Sequence, residues 1–420
     1  MSTLCKAFAS ALMLVVMIAN PGVADEQADW FINDSGVQGG LIVHVGCGDG
    51  DLTAALRVND RYAVHGLATD ETSLQAARQT LASTGSYGMI SVDLLSDERL
   101  PYIDNLVNLI VLQEPDVVSE DEVIRVLVPN GVAYTFKDGA WRKLVKPRPD
   151  SLDEWTHYLH DADNNAVAND LVVGPPRQLQ WVGAPRWSRH HDRMASLTAL
   201  VSSGGRIFSI EDEGERASIQ LADRRKLVAR DAFNGTILWK RELTDWFPHL
   251  FPYKSGSAQM PRRLVAIDDT VYVTLGLEAP VTAINAATGE TRLTYEQTQS
   301  TEEILYVDGV LYLVVNSEPV LDRPYFPQST CMHEERNWVA ETWTFNGRER
   351  DIMAVDAETG RTLWNTPGVA APLTLAVQNG VFFFDGESIV RLNQEDGAQI
   401  WRSEPLTAKS PIPSNFGPTL

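Results

Sequence analysis

The spacing of hydrophobic and polar positions changes character near residue 145. Before it, continuous apolar runs alternate with segments apolar at helical spacing. After it, short alternating runs are joined by glycine turns. In the first half, residues 41–45 read as a buried strand, Gly46–Gly50 as a glycine turn, and Asp51 as the cap of a helix reaching Leu56. Residues 62–68 give a second strand, 70–81 a helix, 89–94 a third strand and 106–112 a fourth. A short helix from Ser119 then leads to a fifth strand over 132–136. Strand, glycine turn and helix in this order open a doubly wound α/β fold, in which missing side chains let a ligand approach the backbone.

In the second half one phrase recurs at residues 227–239, 281–293, 352–364 and 389–401. A glycine (Gly235, Gly289, Gly360, Gly397) follows an Asp or Asn (Asp231, Asn285, Asp356, Asn393) by four residues. Four residues after the glycine comes Trp239, Leu293, Trp364 or Trp401. The glycine supplies the positive φ of a tight hairpin turn, and the flanking β-branched and aromatic residues suit a pleated surface. A looser pair of apolar runs precedes each copy, so each unit predicts two hairpins, a four-stranded antiparallel sheet repeated as a propeller blade. The longest interval, from Gly289 to Gly360, implies an insertion over 316–350, a loop-like stretch holding Pro319, Pro324, Pro327, Cys331 and His333. At about 40–50 residues per blade, the stretch 176–420 holds about five units. The ring is then small, closed by a partner, or part of a longer relative.

Composition narrows the setting. A net charge of −21 and a pI near 4.8 argue against nucleic acid and anionic membrane surfaces as partners. Residues 1–24 read as a secretory leader, with Lys6, an apolar run over 7–19 and a small-residue site at Gly22-Val23-Ala24. This predicts a periplasmic or secreted protein with no lipid anchor and no transmembrane segment after leader removal. Cys47 and Cys331 then remain, either paired in an oxidising compartment or free.

Half of the eight histidines lie close together. His157 and His160, at i and i+3 on a helical face, together with His190 of His190-His191-Asp192, are candidate metal ligands. The alternative is packing and hydrogen bonding at the approach to the first blade. Arg186, Arg189, Arg193, Arg224, Arg225, Arg262 and Arg263 offer either an anion pocket on the propeller face or a solvated rim.

Two resemblances follow from these motifs. The pattern Ala354, Asp356, Thr359, Gly360, Trp364 resembles the PQQ-like repeat of quinoprotein dehydrogenases and of the outer-membrane assembly lipoproteins, from about Trp155 onward. In that superfamily the glycine-to-tryptophan phrase docks neighbouring blades. Trp155, Asp161 and Trp181 match its approach to the first blade. No Cys-Cys pair and no CxxCH stand in the chain, so pyrroloquinoline quinone and haem are not expected. The Val45-Gly-Cys-Gly-Asp-Gly50 turn and the run 125–131 resemble class I S-adenosylmethionine-dependent methyltransferases over about 39–144. That resemblance implies cofactor contacts at Gly46, Gly48 and Gly50, and near the adenine at Asp93. The ribose acceptor of the family falls on Ala68, with Asp70 as a substitute if the second strand runs longer. The sheet's last strands are absent, the chain passing into a linker at Lys146-Pro-Arg-Pro149.

The expected architecture is thus an α/β Rossmann-like methyltransferase fold over 39–145, a linker and blade approach over 146–175, and an all-β propeller over 176–420. The leading function is extracytoplasmic binding or scaffolding of a protein or small molecule at the propeller face, with the α/β domain degenerate. The alternatives are an S-adenosylmethionine-dependent methyltransferase with an accessory propeller, and a quinoprotein oxidoreductase.

Overall fold

The computed structural model describes residues 14–15, 24–172, 174–175, 179–184, 196–215, 217, 224–244, 260–316, 349–371 and 373–406. The chain divides into two compact units. One is formed by the chain up to Asp150 with Pro176–Trp181 and Phe233–Leu238, the other by the remainder.

The first unit has the Rossmann-like methyltransferase fold. Its strands are β1 (Leu14–Val15), β2 (Gly40–Val45), β3 (Tyr62–Ala68), β4 (Ile90–Leu94), β5 (Val107–Leu112), β6 (Leu127–Lys137) and β7 (Ala140–Val145), in the order β1-β7-β6-β5-β2-β3-β4. From β6 to β4 neighbours are parallel. The five strands read from the sequence are all present. One extension and one addition depart from the reading: β7 turns back antiparallel on β6, and helix α1 (Ala24–Ser35) precedes the sheet. Phe31 of α1 is buried against Tyr134 and Trp141 of the last two strands. Within the stretch read as a leader, Leu14 and Val15 pair antiparallel with Arg142 and Trp141.

Helices α2 (Asp51–Ala55) and α3 (Glu71–Ser83) follow β2 and β3, and α4 (Glu120–Val126) follows β5. Leu52, Leu56, Leu74, Ala77 and Leu81 join α1 on one face of the sheet. Val118, Val123 and Val126 cover the other. The cap of α2 is Gly50 in the left-handed region rather than Asp51, which opens the first turn.

The second unit carries β8 (Leu197–Ser203), β9 (Arg206–Asp212), β10 (Arg225–Asp231), β11 (Ile237–Glu242) from Trp239 onward, β12 (Leu264–Ile267), β13 (Thr270–Thr274), β14 (Val281–Asn285), β15 (Thr291–Thr294), β16 (Thr301–Val307), β17 (Val310–Val315), β18 (Glu349–Asp356), β19 (Thr362–Val369), β20 (Ala376–Val377), β21 (Val381–Phe384), β22 (Ile389–Leu392) and β23 (Gln399–Arg402). They form four antiparallel four-stranded sheets, each a meander of consecutive strands. First strands of successive sheets touch, β8 on β12, β12 on β16 and β16 on β20. The sheets therefore radiate from a shared inner edge as propeller blades. Among the described residues there are four such blades.

The recurring phrase is the outer hairpin of each blade, but its turn is wider than a two-residue hairpin. The glycine N–H donates to the carbonyl four residues back, Gly289 to Asn285, Gly360 to Asp356 and Gly397 to Asn393. The Asx side chain accepts from the N–H groups in between, as Asn285 does from Ala287 and Thr288 and Asp356 from Glu358 and Thr359. The repeated Asp or Asn is thus an Asx cap of the turn.

The residue that ends each of the first three phrases covers the next blade's glycine. A Cβ on Gly289 would meet the Trp239 ring at 2.7 Å, and one on Gly397 the Trp364 ring at 2.5 Å. The indole N–H of Trp239 donates to Ala286 O at 2.9 Å, and that of Trp364 to Gln394 O at 3.0 Å. Leu293 and Tyr295 cover Gly360, with the Tyr295 hydroxyl donating to Ala357 O. Trp181 stands over Gly235 in the same way.

Candidate functional site

In the first unit the order of the parallel strands reverses between β2 and β5, and a doubly wound sheet binds ligands at the carboxyl ends of the strands at that point. The turn after β2 lies there, with Gly46, Gly48 and Gly50 at φ of 77°, 52° and 88°. A Cβ on Gly50 would lie 2.8 Å from Ala77 Cα, so this glycine serves the packing of α2 on α3. A Cβ on Gly46 would lie 2.9 Å from Glu114 Cγ. One on Gly48 would meet nothing within 4 Å.

The side chains around this turn are largely committed to one another. Strand β3 ends at Ala68, and Asp70 caps α3: its carboxylate accepts from the Ser73 N–H at 3.0 Å and the Ser73 hydroxyl at 2.6 Å. These bonds hold its pKa below the usual carboxylate range. Asp70 therefore stands beyond the end of β3 and does not extend it. Replacing Asp70 by alanine should lower the denaturation midpoint of the full chain slightly, and asparagine, which also caps, should restore it.

Glu114 accepts from the Thr69 hydroxyl at 3.1 Å over Gly46. Asp93 points to Arg78 and His65, each at 3.2 Å, and His65 Nδ1 in turn meets the Tyr102 hydroxyl at 2.6 Å. Burial raises the Cys47 thiol to about 11, so it is not a thiolate near neutrality.

His44 was not singled out by the sequence reading, although a polar residue inside the apolar run Leu41-Ile-Val-His-Val45 is the available signal. It is fully buried, with Nδ1 on the Thr53 hydroxyl at 2.8 Å and Nε2 on Gln113 at 3.0 Å. Desolvation pushes its pKa down to about 4 and keeps it neutral. It ties β2 to α2 and to the end of β5 beside the glycine turn.

In the second unit the segment from Trp155 to Asn164 crosses the inner strands of all four blades. Ser202 N–H of β8 donates to Trp155 O at 2.7 Å, and Ala266 N–H of β12 to Thr156 O at 3.0 Å. Tyr306 N–H of β16 donates to His157 Nε2 at 3.0 Å, and Val377 N–H of β20 to Ala162 O at 2.8 Å. We call this segment the axial strap.

The strap is not helical at the two histidines. His157 and His160 face each other across an antiparallel bridge, with His160 at a φ of 74°. They therefore do not share the helical face that the i, i+3 spacing suggested. His157 Nδ1 meets the Thr156 hydroxyl at 2.7 Å, so both ring nitrogens are engaged, and burial lowers its pKa to about 3. His160 Nε2 meets Asp153 at 2.7 Å and its Nδ1 meets Asp161 at 3.3 Å. Among the described residues no group of three metal-type side chains converges. His190, His191, Asp192, Cys331 and His333 lie outside the described residues, as do Arg186, Arg189 and Arg193.

Arg262 and Arg263 lie neither in an open anion pocket nor on a solvated rim. Arg262, buried, donates to Asn164 Oδ1 at 2.9 Å and to Leu373 O at 3.4 Å, and lies over the Tyr158 ring. Arg263 donates to Leu277 O at 2.7 Å, and its complete burial lowers its pKa to about 10. Beside them Arg350 pairs with Glu302. Glu303, 1% exposed, accepts from Leu375 N–H at 2.9 Å, while its other oxygen lies 3.9 Å from Arg262 Nε without a hydrogen bond.

A family profile described as "Outer membrane protein assembly factor BamB" matches residues 333–417, a range that takes in the third blade's β18 and β19 and the whole fourth blade. Solved structures similar to this chain include a protein of Methanococcus maripaludis provisionally named an S-adenosyl-L-methionine-dependent methyltransferase. It is 24% identical over 27% of this chain and 54% of its own, with a TM-score of 0.25. Others are the [4+2]-cyclase SpnF, 22% identical over 26% and 43% with a TM-score of 0.25, and the geranyl diphosphate C-methyltransferase of Streptomyces coelicolor A3(2), 17% identical over 26% and 44% with a TM-score of 0.24. The chain spans about half the length of these structures or less. No curated protein matches. No helix among the described residues is long and apolar enough to cross a membrane.

Proposed function

We propose that this is an extracytoplasmic binding or scaffold protein whose propeller presents the binding surface and whose methyltransferase-like unit has left catalysis. The observation that carries this reading is the state of the strand crest. The position of the ribose acceptor holds Ala68, the nearby Asp70 is consumed as a helix cap, and the Glu114 carboxylate lies over Gly46. Those residues do not fit S-adenosylmethionine: a buried acceptor pair for two ribose hydroxyls is missing, and a carboxylate faces the place meant for the cofactor's own carboxylate. The apolar run over residues 7–19, read as part of a leader, and the match of residues 333–417 to an outer-membrane assembly factor profile support the extracytoplasmic setting.

One observation favours methyl transfer as a second reading, namely the open space over Gly48 in a left-handed turn. Calorimetric titration of S-adenosylmethionine into the full chain separates the two. We expect no saturable heat up to millimolar cofactor. Micromolar binding that is lost in Gly48→Trp would overturn the scaffold reading of this unit.

A further inference from the structure

We infer that the axial strap is held by a pH-sensitive latch: ionisation of Glu303 draws Arg262 off Asn164 and loosens the strap against the inner strands of the propeller.

The geometry gives the latch its parts. Arg262 holds the strap at two places, with Tyr158 under its guanidinium and Asn164 on its Nη1. Asn164 in turn donates to Leu375 O, beside the N–H that Glu303 accepts. The Arg262 Nε–H lies 3.9 Å from the free oxygen of Glu303, too far for a hydrogen bond, while the N–H groups of Leu375 and Thr374 face the carboxylate. Protonated, Glu303 tolerates that gap. Ionised, a buried carboxylate oxygen without a donor is costly. Closing about an ångström brings Nε–H into range, and the rigid guanidinium then carries Nη1 and Nη2 away from Asn164 and Leu373 O.

The groups that face Glu303 leave the titration to Glu303 itself. Besides Arg262, the charge that acts on it is that of Glu302, which pairs with Arg350. From the strap, His157 feels the Arg262 charge and is neutral across the range concerned. Burial places the Glu303 midpoint at about 7, with Arg262 opposing and Glu302 reinforcing the shift.

The test is hydrogen exchange of the full chain between pH 5 and pH 8, read by mass spectrometry and corrected for intrinsic rates. A peptide covering 155–164 should show an opening equilibrium that rises about tenfold or more across this window. A peptide from β17 serves as the reference for global unfolding and should not rise with it. In Glu303→Gln the strap peptide should be flat. A flat wild-type profile, an equal rise in β17, or the same rise in Glu303→Gln would each overturn the latch. The first two readings need no variant, so they stand even if Glu303→Gln fails to fold.

Discussion

Trp239→Ala should cost the second unit about 3–5 kcal/mol, whereas Trp401→Ala should change its stability by less than about 1 kcal/mol. Both tryptophans occupy the same place in the repeated phrase, and both stand on the outer strand of a blade. Trp239 is 8% exposed, lies on Gly289 and donates its indole N–H to Ala286 O. Its removal leaves a cavity between two blades and an unpaired carbonyl, and the turn glycine has no side chain with which to refill the space. Trp401 is 47% exposed, with no turn glycine among the described residues beneath it. Urea unfolding of each variant, followed by far-ultraviolet circular dichroism, gives the comparison. Equal losses at the two positions would show that the tryptophan acts within its own hairpin and not as a dock between blades.

That contrast marks how far the sequence could be read. Repetition made the blades legible: four copies in one register identify the Asx, the glycine and the aromatic residue before any contact is known. The parallel sheet was legible because its central strands are buried on both faces and read as unbroken apolar runs, residues 41–45 and 107–112 among them. Helix α1 was missed because only two of its positions, Ala28 and Phe31, are fully buried, and Phe31 finds its partners Tyr134 and Trp141 a hundred residues away. The strap was hidden for a related reason. Its bonds to the blades run mainly through the backbone carbonyls of Trp155, Thr156 and Ala162, which no side-chain pattern announces. The histidine spacing there invited a helix, whereas a bridge with His160 in the left-handed region is what the four inner strands select. At the crest, the glycines marked the turn correctly as a turn. Whether Asp70 served the ribose or the helix depended on where β3 stops, and a boundary of two residues is beyond a periodicity argument.

The same buried groups should give the second unit an unusual response to pH. Glu303 has its pKa raised to about 7 by burial, so the stability it contributes is complete below its ordinary value near 4.5 and is lost as pH rises through about 7. His157 has its pKa lowered to about 3, so its contribution is complete above its ordinary value near 6.5 and is lost as pH falls. Between pH 5 and pH 8 the two act in opposite directions and nearly cancel. Glu303→Gln removes one side of the balance while keeping the acceptor for Leu375 N–H. The stability of this variant relative to wild type should therefore rise by roughly 2 kcal/mol from pH 5 to pH 8. Other titrating groups drop out of the difference, because they are common to both proteins. Urea midpoints at four or five pH values suffice to measure it. A difference that stays constant with pH would mean that Glu303 ionises at its ordinary value, with solvent reaching the axis between the inner strands.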